Sequence, residues 1–304
     1  MRNWKVILAF ASIYIVWGST FLAALIGLNG LPPYLMISLR FFAAGLILYG
    51  WAKLKGEANP DLSTIKSHGI SGILMLVGGT GSVVWAEQYI PTGLAAIIVA
   101  ALPIWFILLD RPQWKNYFYN KMIVLGILLG FAGILFLFGF PKAGAPASAN
   151  RHMQFISIAL ITGGSIAWAA GSLYSRTIRS ASSTIMTVSL QLLAAGLCAL
   201  LVSTLLGELR GFTWGQVQLK AWLALLYMIV MGSIVTYVAY IWLLTVRPAV
   251  QVGTYAYVNP VIAVLLGWAF AGELISTRQL LSLLAIMSGV LLINLPKYKS
   301  APHD

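Results

Sequence analysis

Two ionisable side chains, Arg40 and Glu87, lie inside long apolar stretches of this 304-residue sequence. A charged side chain within a membrane-spanning helix costs roughly 2.5–3.5 kcal/mol on insertion scales, and such residues usually serve a function. Arg40 lies about 9 Å below the nearer end of its stretch at 1.5 Å per residue. It is expected either to bind a carboxylate or hold a gate, or else to fasten helices together by pairing with Glu87 or with backbone carbonyls.

Glu87, near the end of the third apolar stretch, is the acid best placed to face a cavity. It is a candidate for proton coupling, since carboxyl groups within membranes commonly serve as proton relays. The alternatives are a structural ion pair with Arg40 or contact with interfacial water. Asp110 and Glu273 lie at the ends of apolar stretches and are expected at the membrane interface.

Aromatic and polar side chains accompany these charges. Trp17 and Trp168 lie in the middle of apolar stretches, although tryptophan usually prefers the membrane interface. They are expected either to form cavity walls, with indole N–H groups that meet a polar substrate, or to pack in the core. Tyr255 and Asn259 are four residues apart and share a helix face. The predicted substrate-binding residues are Trp17, Ser19, Arg40, Trp85, Trp168, Gln191, Tyr237, Tyr255, Tyr257 and Asn259.

The composition defines the environment of these residues, because 60% of the chain is hydrophobic and only 9% is charged. Soluble proteins carry about 25% charged residues, so lipid is predicted to be the solvent of this chain. The net charge of +12 comes from basic residues in short loops, which argues against a nucleic-acid partner. His68, His152 and His303 are scattered and Cys198 is alone, so we expect no metal, no cofactor and no disulfide.

Apolar stretches of roughly 17–25 residues, which match the thickness of a bilayer core, recur along the chain. They predict an all-α integral membrane protein, because such stretches are too long for barrel strands. Pro91 and Pro248 separate helices three and four and helices eight and nine. The ten predicted transmembrane helices cover residues 6–25, 34–53, 69–89, 93–109, 122–140, 155–174, 185–206, 222–244, 250–271 and 279–295.

The basic residues predict the orientation in the membrane. With the N-terminus in the cytoplasm, the inner segments hold 13 lysines and arginines and the outer segments hold 5. Arg40, within a helix, completes the total of 19. Because positive charge accumulates on the cytoplasmic side, both termini are expected there.

The two halves of the sequence resemble each other. Residues 38–46 and 189–197 match at a spacing of 151, and Trp17 and Trp168 share this spacing. Each helix of the first half therefore aligns with the helix five places later. Because five is odd, the second copy must enter the membrane from the opposite side, which predicts an inverted repeat. Further pairs at similar spacing are Pro91 and Pro248, Pro103 and Pro260, and Gly133 and Gly289.

These features resemble the EamA-type branch of the drug/metabolite transporter superfamily, and the similarity extends over essentially the whole chain. One departure follows helix four, where residues 109–112 read Leu-Asp-Arg-Pro instead of the Gly-Glu pair that the family often shows. That pair is present after helix nine, at Gly272 and Glu273. The resemblance rests on the motifs at residues 16–20, 39–45, 255–261, 272–274 and 289–290.

The resemblance implies a ten-helix carrier with a central cavity between two five-helix units. The units are expected at residues 1–141 and 155–295, with a linker at 142–154 and a cytoplasmic tail at 296–304. Members of the family move amino acids, other small metabolites or drugs, and many act as exporters. An aromatic cavity with one arginine suits zwitterionic amino acids or amphipathic molecules, whereas strongly anionic substrates need several cationic partners.

We therefore expect a secondary transporter that exports small organic metabolites, above all aromatic or hydrophobic amino acids, by alternating access. Two alternatives are a passive channel or facilitator and a multidrug or other-metabolite carrier of the same fold. An enzyme is disfavoured because the seven acidic residues are scattered. The expected partners are a small-molecule substrate and the lipid bilayer, with the chain as a monomer or homodimer. The expected location is a bacterial inner membrane.

Overall fold

The computed structural model describes residues 3–90, 92–138, 151–178, 180–271 and 277–295, and every regular element in these ranges is helical. Lipid favours this outcome, because a helix satisfies its own backbone polar groups. The helices that correspond to the ten predicted spans are numbered in chain order. They are α1 (Trp4–Leu28), α2 (Pro33–Leu54), α3 (Leu62–Ala86), α4 (Leu94–Leu109), α5 (Lys121–Phe138), α6 (Arg151–Thr177), α7 (Thr184–Leu205), α8 (Leu219–Val246), α9 (Tyr255–Ala271) and α10 (Thr277–Asn294).

The predicted fold class, an all-α membrane protein, is confirmed. In the part of the chain that the structure describes, seven helices are long and apolar enough to cross a bilayer. An eighth span requires α4 together with Arg111–Tyr119, and these two segments are bent by 77°. α5 and α9 are apolar helices of 18 and 17 residues and are not among these seven. Pro91, residues 142–150 of the predicted linker, the motif at 272–274 and the predicted tail at 296–304 lie outside the described residues.

The two repeat-related prolines have different positions within their helices. α4 begins within the helical piece Thr92–Val99 and continues as Leu102–Leu109, and Pro103 lies in the first turn of the second piece. Proline suits a first turn, because the missing N–H needs no partner there. Pro260 instead lies inside α9. The predicted span at 93–109 is therefore interrupted between Val99 and Leu102, directly before Pro103.

α2 and α7, which are repeat mates, pack so closely that two glycines are required. A Cβ on Gly45 would lie 2.9 Å from the backbone nitrogen of Leu193, and a Cβ on Gly196 would lie 2.7 Å from that of Phe42. The two contacts are related by the same spacing of 151 in sequence. Small residues let membrane helices approach in this way, so α2 and α7 form a tight contact between the two predicted repeats.

Reciprocal capping joins the ends of the same two helices. Glu208, beyond the end of α7, accepts hydrogen bonds from the backbone N–H groups of Tyr34 (3.1 Å) and Leu35 (2.9 Å) at the start of α2. Glu57, beyond the end of α2, accepts from the backbone N–H of Ser183, before α7, at 3.3 Å. A carboxylate stabilises free N–H groups and the positive end of the helix dipole. Each helix therefore begins where its mate ends, which makes the two antiparallel, as an inverted repeat requires.

The turns that deliver these two glutamates depend on backbone freedom. Gly56 and Gly207, one residue before each glutamate, have φ angles of 81° and 72°. Only glycine adopts this left-handed conformation without steric cost, and it commonly ends a helix in this way. The same turn is therefore built twice, once in each repeat.

Two π-helical segments occupy equivalent positions in the repeats. They are Ile73–Gly81 within α3 and Met228–Thr236 within α8. A shorter π-helical segment, Ser12–Val16, lies within α1. Such wider turns occur mostly at functional sites, because they displace side chains and backbone groups from regular helical positions. The segments in α3 and α8 flank the space between the repeats.

Substitution of Gly45 by alanine is expected to destabilise the α2–α7 pair by about 1–3 kcal/mol, because the new Cβ overlaps backbone atoms of α7. The measurement is thermal unfolding of the purified protein in detergent. Gly50→Ala in the same helix is the matched control, since a Cβ there meets nothing within 4 Å. Equal melting temperatures for the two variants would contradict the assignment of α2–α7 as the tight contact.

Candidate functional site

A cavity lies between the two repeats and is lined by side chains of α1, α2, α3, α4, α6, α8 and α9. Its empty space, including the part that opens outward, is about 890 Å³. The lining extends from mid-bundle to the end at which α1 and α3 terminate. Seven of the predicted residues line it: Trp17, Arg40, Glu87, Trp168, Tyr237, Tyr255 and Asn259.

Four predicted binding residues lie away from the cavity wall. Ser19 shares a hydrogen bond with the Tyr227 hydroxyl at 2.6 Å and faces a separate crevice between α1 and α8. Trp85 packs against the ring of Tyr89 at 4.8 Å. Tyr257 is fully buried and donates to the carbonyl of Ile127 at 3.2 Å. The fourth residue is Gln191, which is buried and does not line the cavity.

Several hydroxyl-bearing residues of the wall escaped the sequence prediction. Thr20 and Ser165 each lie three residues from a cavity tryptophan, so helical spacing was a signal that could have identified them. Thr80 and Ser233 lie in or beside the π-helical segments, where regular spacing does not apply. These hydroxyls add neutral hydrogen-bonding capacity to a wall that is otherwise aromatic and aliphatic.

A cluster of four aromatic rings lies at the floor of the cavity, where Trp17, Trp168 and Tyr255 line the open space and Tyr240 packs behind them. Trp17 and Trp168, which the repeat relates, meet edge to face with ring centroids 5.6 Å apart. Tyr240 lies 5.1 Å from Trp17 and 5.5 Å from Trp168, and Tyr255 lies 4.7 Å from Trp17. Edge-to-face and tilted pairs at these distances are favourable beyond the burial of area. We call these four residues the aromatic floor.

In this structure the indole N–H groups of the floor donate to protein acceptors and not to the open space of the cavity. Trp17 Nε1 donates to the carbonyl oxygen of Gly232 at 3.1 Å. Trp168 Nε1 donates to the hydroxyl of Tyr240 at 2.8 Å, and that hydroxyl also shares a hydrogen bond with Ser172 at 2.6 Å. Buried donors need partners, and here the neighbouring helices supply them. The tryptophans therefore offer ring surface to the cavity.

Arg40 is buried beside the cavity and has only neutral partners among the described residues. Its Nε donates to the hydroxyl of Ser233 at 2.8 Å, and Nη1 lies 3.8 Å from the sulfur of Met228. The guanidinium carbon lies 5.2 Å from the ring centroid of Phe41. The alternative in which Arg40 pairs with Glu87 is not what the structure has, since no ion pair joins the two in the described chain. A buried cation without a counter-charge is costly and favours the binding of an anion.

The repeat mate of Arg40, Gln191, is held in a closed polar network. Its amide nitrogen donates to Ser71 at 3.2 Å and to Ser175 at 3.0 Å, and its oxygen accepts from the Tyr237 hydroxyl at 2.9 Å. Gln191 is completely buried. Of two symmetry-related positions, one therefore presents a charge to the cavity and the other fastens helices α3, α6, α7 and α8 together.

Glu87 lies directly after α3, at the mouth of the cavity. Its Oε1 atom is buried and meets no hydrogen-bond donor in the part of the chain that the structure describes. An unpartnered buried acceptor costs roughly 1–3 kcal/mol, and more when it is charged. The geometry therefore leaves Glu87 available to a donor that enters the cavity.

At the opposite end of the bundle, the segment that follows α4 contacts the end of α6. Tyr117 donates to Asp110 Oδ2 at 2.7 Å, and Arg176 Nη1 lies 3.8 Å from the same oxygen. Burial raises the pKa of Asp110, and the Tyr117 hydrogen bond and the Arg176 charge oppose this rise. Asp110, expected at the interface, is thus a buried member of a three-residue contact at this end.

Comparison with known proteins identifies the same two units. The sequence profile of the EamA-like transporter family matches residues 3–139 and, a second time, residues 155–295. YedA of Escherichia coli strain K12, named as an inner membrane transporter, is 36% identical over 292 residues, which cover 95% of this chain and 90% of YedA. YoaV of Bacillus subtilis, named as a transporter, is 24% identical over 288 residues, covering 94% of this chain and 95% of YoaV.

The fold is also that of a solved crystal structure. The two chains superpose with a TM-score of 0.77, covering 97% of this chain and 98% of the other, at 18% sequence identity. At this identity the likeness shows a shared fold.

Removal of the Tyr240 hydroxyl is expected to weaken the floor, because Trp168 loses its acceptor. Tyr240→Phe should lower the stability by about 1–2 kcal/mol, the range for a buried hydrogen bond in a membrane protein. Thermal unfolding in detergent is the measurement, and Tyr119→Phe, at a ring that is 86% exposed, is the control. If both variants unfold at the wild-type temperature, the hydrogen bond contributes nothing to the floor.

Proposed function

Since the chain belongs to the EamA-like transporter family, we propose that it is a secondary carrier that exports amino acids with aromatic or hydrophobic side chains, and related amphipathic metabolites, across the bacterial inner membrane. The observation that carries this proposal is the position of Arg40, a cation without an acidic partner among the described residues, beside an aromatic floor. The names of YedA and YoaV support transport and not a particular substrate.

The guanidinium of Arg40 is the group that would bind the carboxylate of the substrate. The Nε atom of Arg40 donates to the hydroxyl of Ser233. Among the described residues, its terminal nitrogens make only a weak contact with the sulfur of Met228. An arginine offers paired N–H donors that match the two oxygens of a carboxylate. Arg40 is the one cation in the described lining, and one cation can balance the charge of one carboxylate.

The aromatic floor is the surface that would receive the apolar side chain. The indole N–H groups of Trp17 and Trp168 are satisfied by the protein, so the rings present apolar faces. Such a site favours aromatic or aliphatic groups through burial of area and ring contacts. A carboxylate at Arg40 and an apolar group on the floor together describe a hydrophobic amino acid.

Alternating access is supported by the inverted halves and by the asymmetry of the two ends. The cavity extends toward the end that carries Glu87, whereas Asp110, Tyr117 and Arg176 close the other end. The distribution of basic residues supports an orientation with the Glu87 end in the periplasm and both termini in the cytoplasm. In this proposal the described state is outward-facing, and opening of the Asp110 contact produces the inward-facing state.

A passive channel is the second candidate, and the aromatic floor argues against it. A channel needs a continuous polar path, whereas here four buried rings separate the cavity from the Asp110 end. A carrier of drugs in the same fold differs from our proposal in the role of Arg40, which a cationic drug would not use.

Counterflow in liposomes that contain the purified protein is the test. Vesicles are loaded with unlabelled phenylalanine, polyols, sugars or a cationic drug, and uptake of the matching labelled compound is followed. We expect saturable uptake of phenylalanine that is stimulated by phenylalanine on the other side. Uptake that never saturates would support a channel, and exchange of the drug alone would support a multidrug carrier.

The carboxylate role of Arg40 gives a specific expectation for two variants. Arg40→Gln should weaken phenylalanine exchange by roughly 10- to 100-fold, the value of a charge-assisted hydrogen bond of about 1.5–3 kcal/mol. Arg40→Lys should retain part of the affinity, because it keeps the charge but not the fork of donors. The measurement is the concentration of phenylalanine that gives half-maximal counterflow.

Two controls accompany these variants. Arg210→Gln removes an exposed arginine and should leave exchange unchanged. Binding of 2-phenylethylamine, which has no carboxylate, should not depend on Arg40. Equal losses for phenylalanine and 2-phenylethylamine in Arg40→Gln would mean that Arg40 only maintains the fold.

The contact at Asp110 predicts a change in access at the closed end. Arg176→Gln should shift the population toward the inward-facing state about two- to fivefold, since a partly exposed ion pair contributes up to about 1 kcal/mol. The readout is the rate at which a water-soluble maleimide labels the variant Ala249→Cys. Ala249 is buried and lies in the short helix Ala249–Val252, which packs on α4. The background variant Cys198→Ala removes the one native cysteine. Unchanged labelling would show that Arg176 has no part in closing this end.

A further inference from the structure

Glu87 is the remaining charged group of the cavity, and its environment differs from that of every other described acid. Glu57 and Glu208 accept backbone and hydroxyl hydrogen bonds as helix caps, and Asp61 accepts the backbone N–H of Ser63 at the start of α3. Asp110 has both a donor and a nearby arginine. Glu87 instead has a buried oxygen without a donor and faces the same cavity as Arg40.

The two charges lie at different depths. Arg40 lies near the floor, because its Nη2 atom is 2.7 Å from the position of a Cβ on Gly232, whose carbonyl accepts from Trp17. Gly79 of α3 lies at the same level, since a Cβ there would be 2.6 Å from the ring of Trp168. The rise along α3 from Gly79 to Glu87 is about 12 Å at 1.5 Å per residue.

This difference in depth decides which substrate could use both charges. The ammonium and carboxylate of an α-amino acid are attached to one carbon, so they cannot reach two groups that lie at such different depths. The vertical distance is shortened from the Glu87 side, because long side chains lean toward the N-terminus of their helix and those of α3 therefore lean toward the floor. A second cation on a flexible stem of four carbons, as in lysine, has a suitable reach.

From these contacts we infer that Glu87 is a subsite for a distal cation of the substrate, so that amino acids with a basic side chain are accepted with their carboxylate on Arg40. The inference rests on the proposed function, because it uses the same cavity and the same carboxylate site. An ammonium group carries a positive charge and can donate a hydrogen bond to Oε1 of Glu87, which meets no donor among the described residues. The wall between the two charges along α3 is formed by Thr80, Val83 and Val84, which suits an aliphatic stem.

The test compares lysine with norleucine, which has a similar aliphatic side chain and no terminal ammonium, by competition with labelled phenylalanine in counterflow. In the wild type, lysine should compete at least as well as norleucine, although burial of its ammonium is costly without a partner. Glu87→Gln should weaken lysine roughly 10- to 100-fold and change norleucine less than about twofold.

A matched control moves the charge without removing it. The double variant Glu87→Gln/Gln88→Glu keeps the net charge and places the carboxylate on an exposed neighbour. It should bind lysine as poorly as Glu87→Gln, and thermal unfolding should show that both variants fold.

The outcomes separate the two proposals. If phenylalanine and norleucine exchange but lysine does not compete, or if Glu87→Gln weakens lysine and norleucine equally, the distal-cation subsite is overturned and the carrier proposal stands. Restoration of lysine competition by the double variant would also overturn it, since a general surface charge would then suffice. If no amino acid exchanges in the wild type, the proposed function fails, and the subsite fails with it.

Discussion

The contact between α2 and α7 is the constraint on which the rest of this protein depends. Lipid tails provide no hydrophobic force that joins helices, so close packing and polar contacts must hold the two halves together. Gly45 and Gly196 bring the two backbones into contact, and Glu57 and Glu208 cap the ends. Because each helix begins where its mate ends, this contact also fixes the opposite orientations of the repeats and the position of the space between them.

Function in this framework arises where the symmetry of the repeats is broken. Arg40 and Gln191 occupy the same position in their halves, yet one carries a charge to the cavity and the other closes a network with Ser71, Ser175 and Tyr237. Two arginines would have placed two buried cations near one axis, at a high cost in desolvation. With Arg40 charged and Gln191 neutral, the cavity has a positive charge on one side of the pseudo-symmetry axis, as a carrier of zwitterions would need.

The aromatic floor links the binding site to the elements that could move. Trp17 bonds to the π-helical segment of α8, and Trp168 packs on Gly79 in the equivalent segment of α3. A substrate on these rings would therefore be linked through them to the least regular turns of both repeats. This gives a physical route by which substrate binding could bias two arrangements of the bundle, since the floor cannot move without these segments.

The sequence by itself determined the solvent, the helices and the inverted repeat, because apolar length and the spacing of 151 are properties of the chain alone. It also selected Arg40, Glu87 and the tryptophan pair as candidates to line a cavity, since a charge or an indole within an apolar stretch is unusual. It could not show that both indole N–H groups have protein acceptors, that Gln191 is buried in a hydrogen-bond network, or that Ser233 accepts a hydrogen bond from Arg40. Only the tertiary structure decided these points, because helical periodicity specifies which residues share a face, whereas the neighbouring helix determines what covers that face.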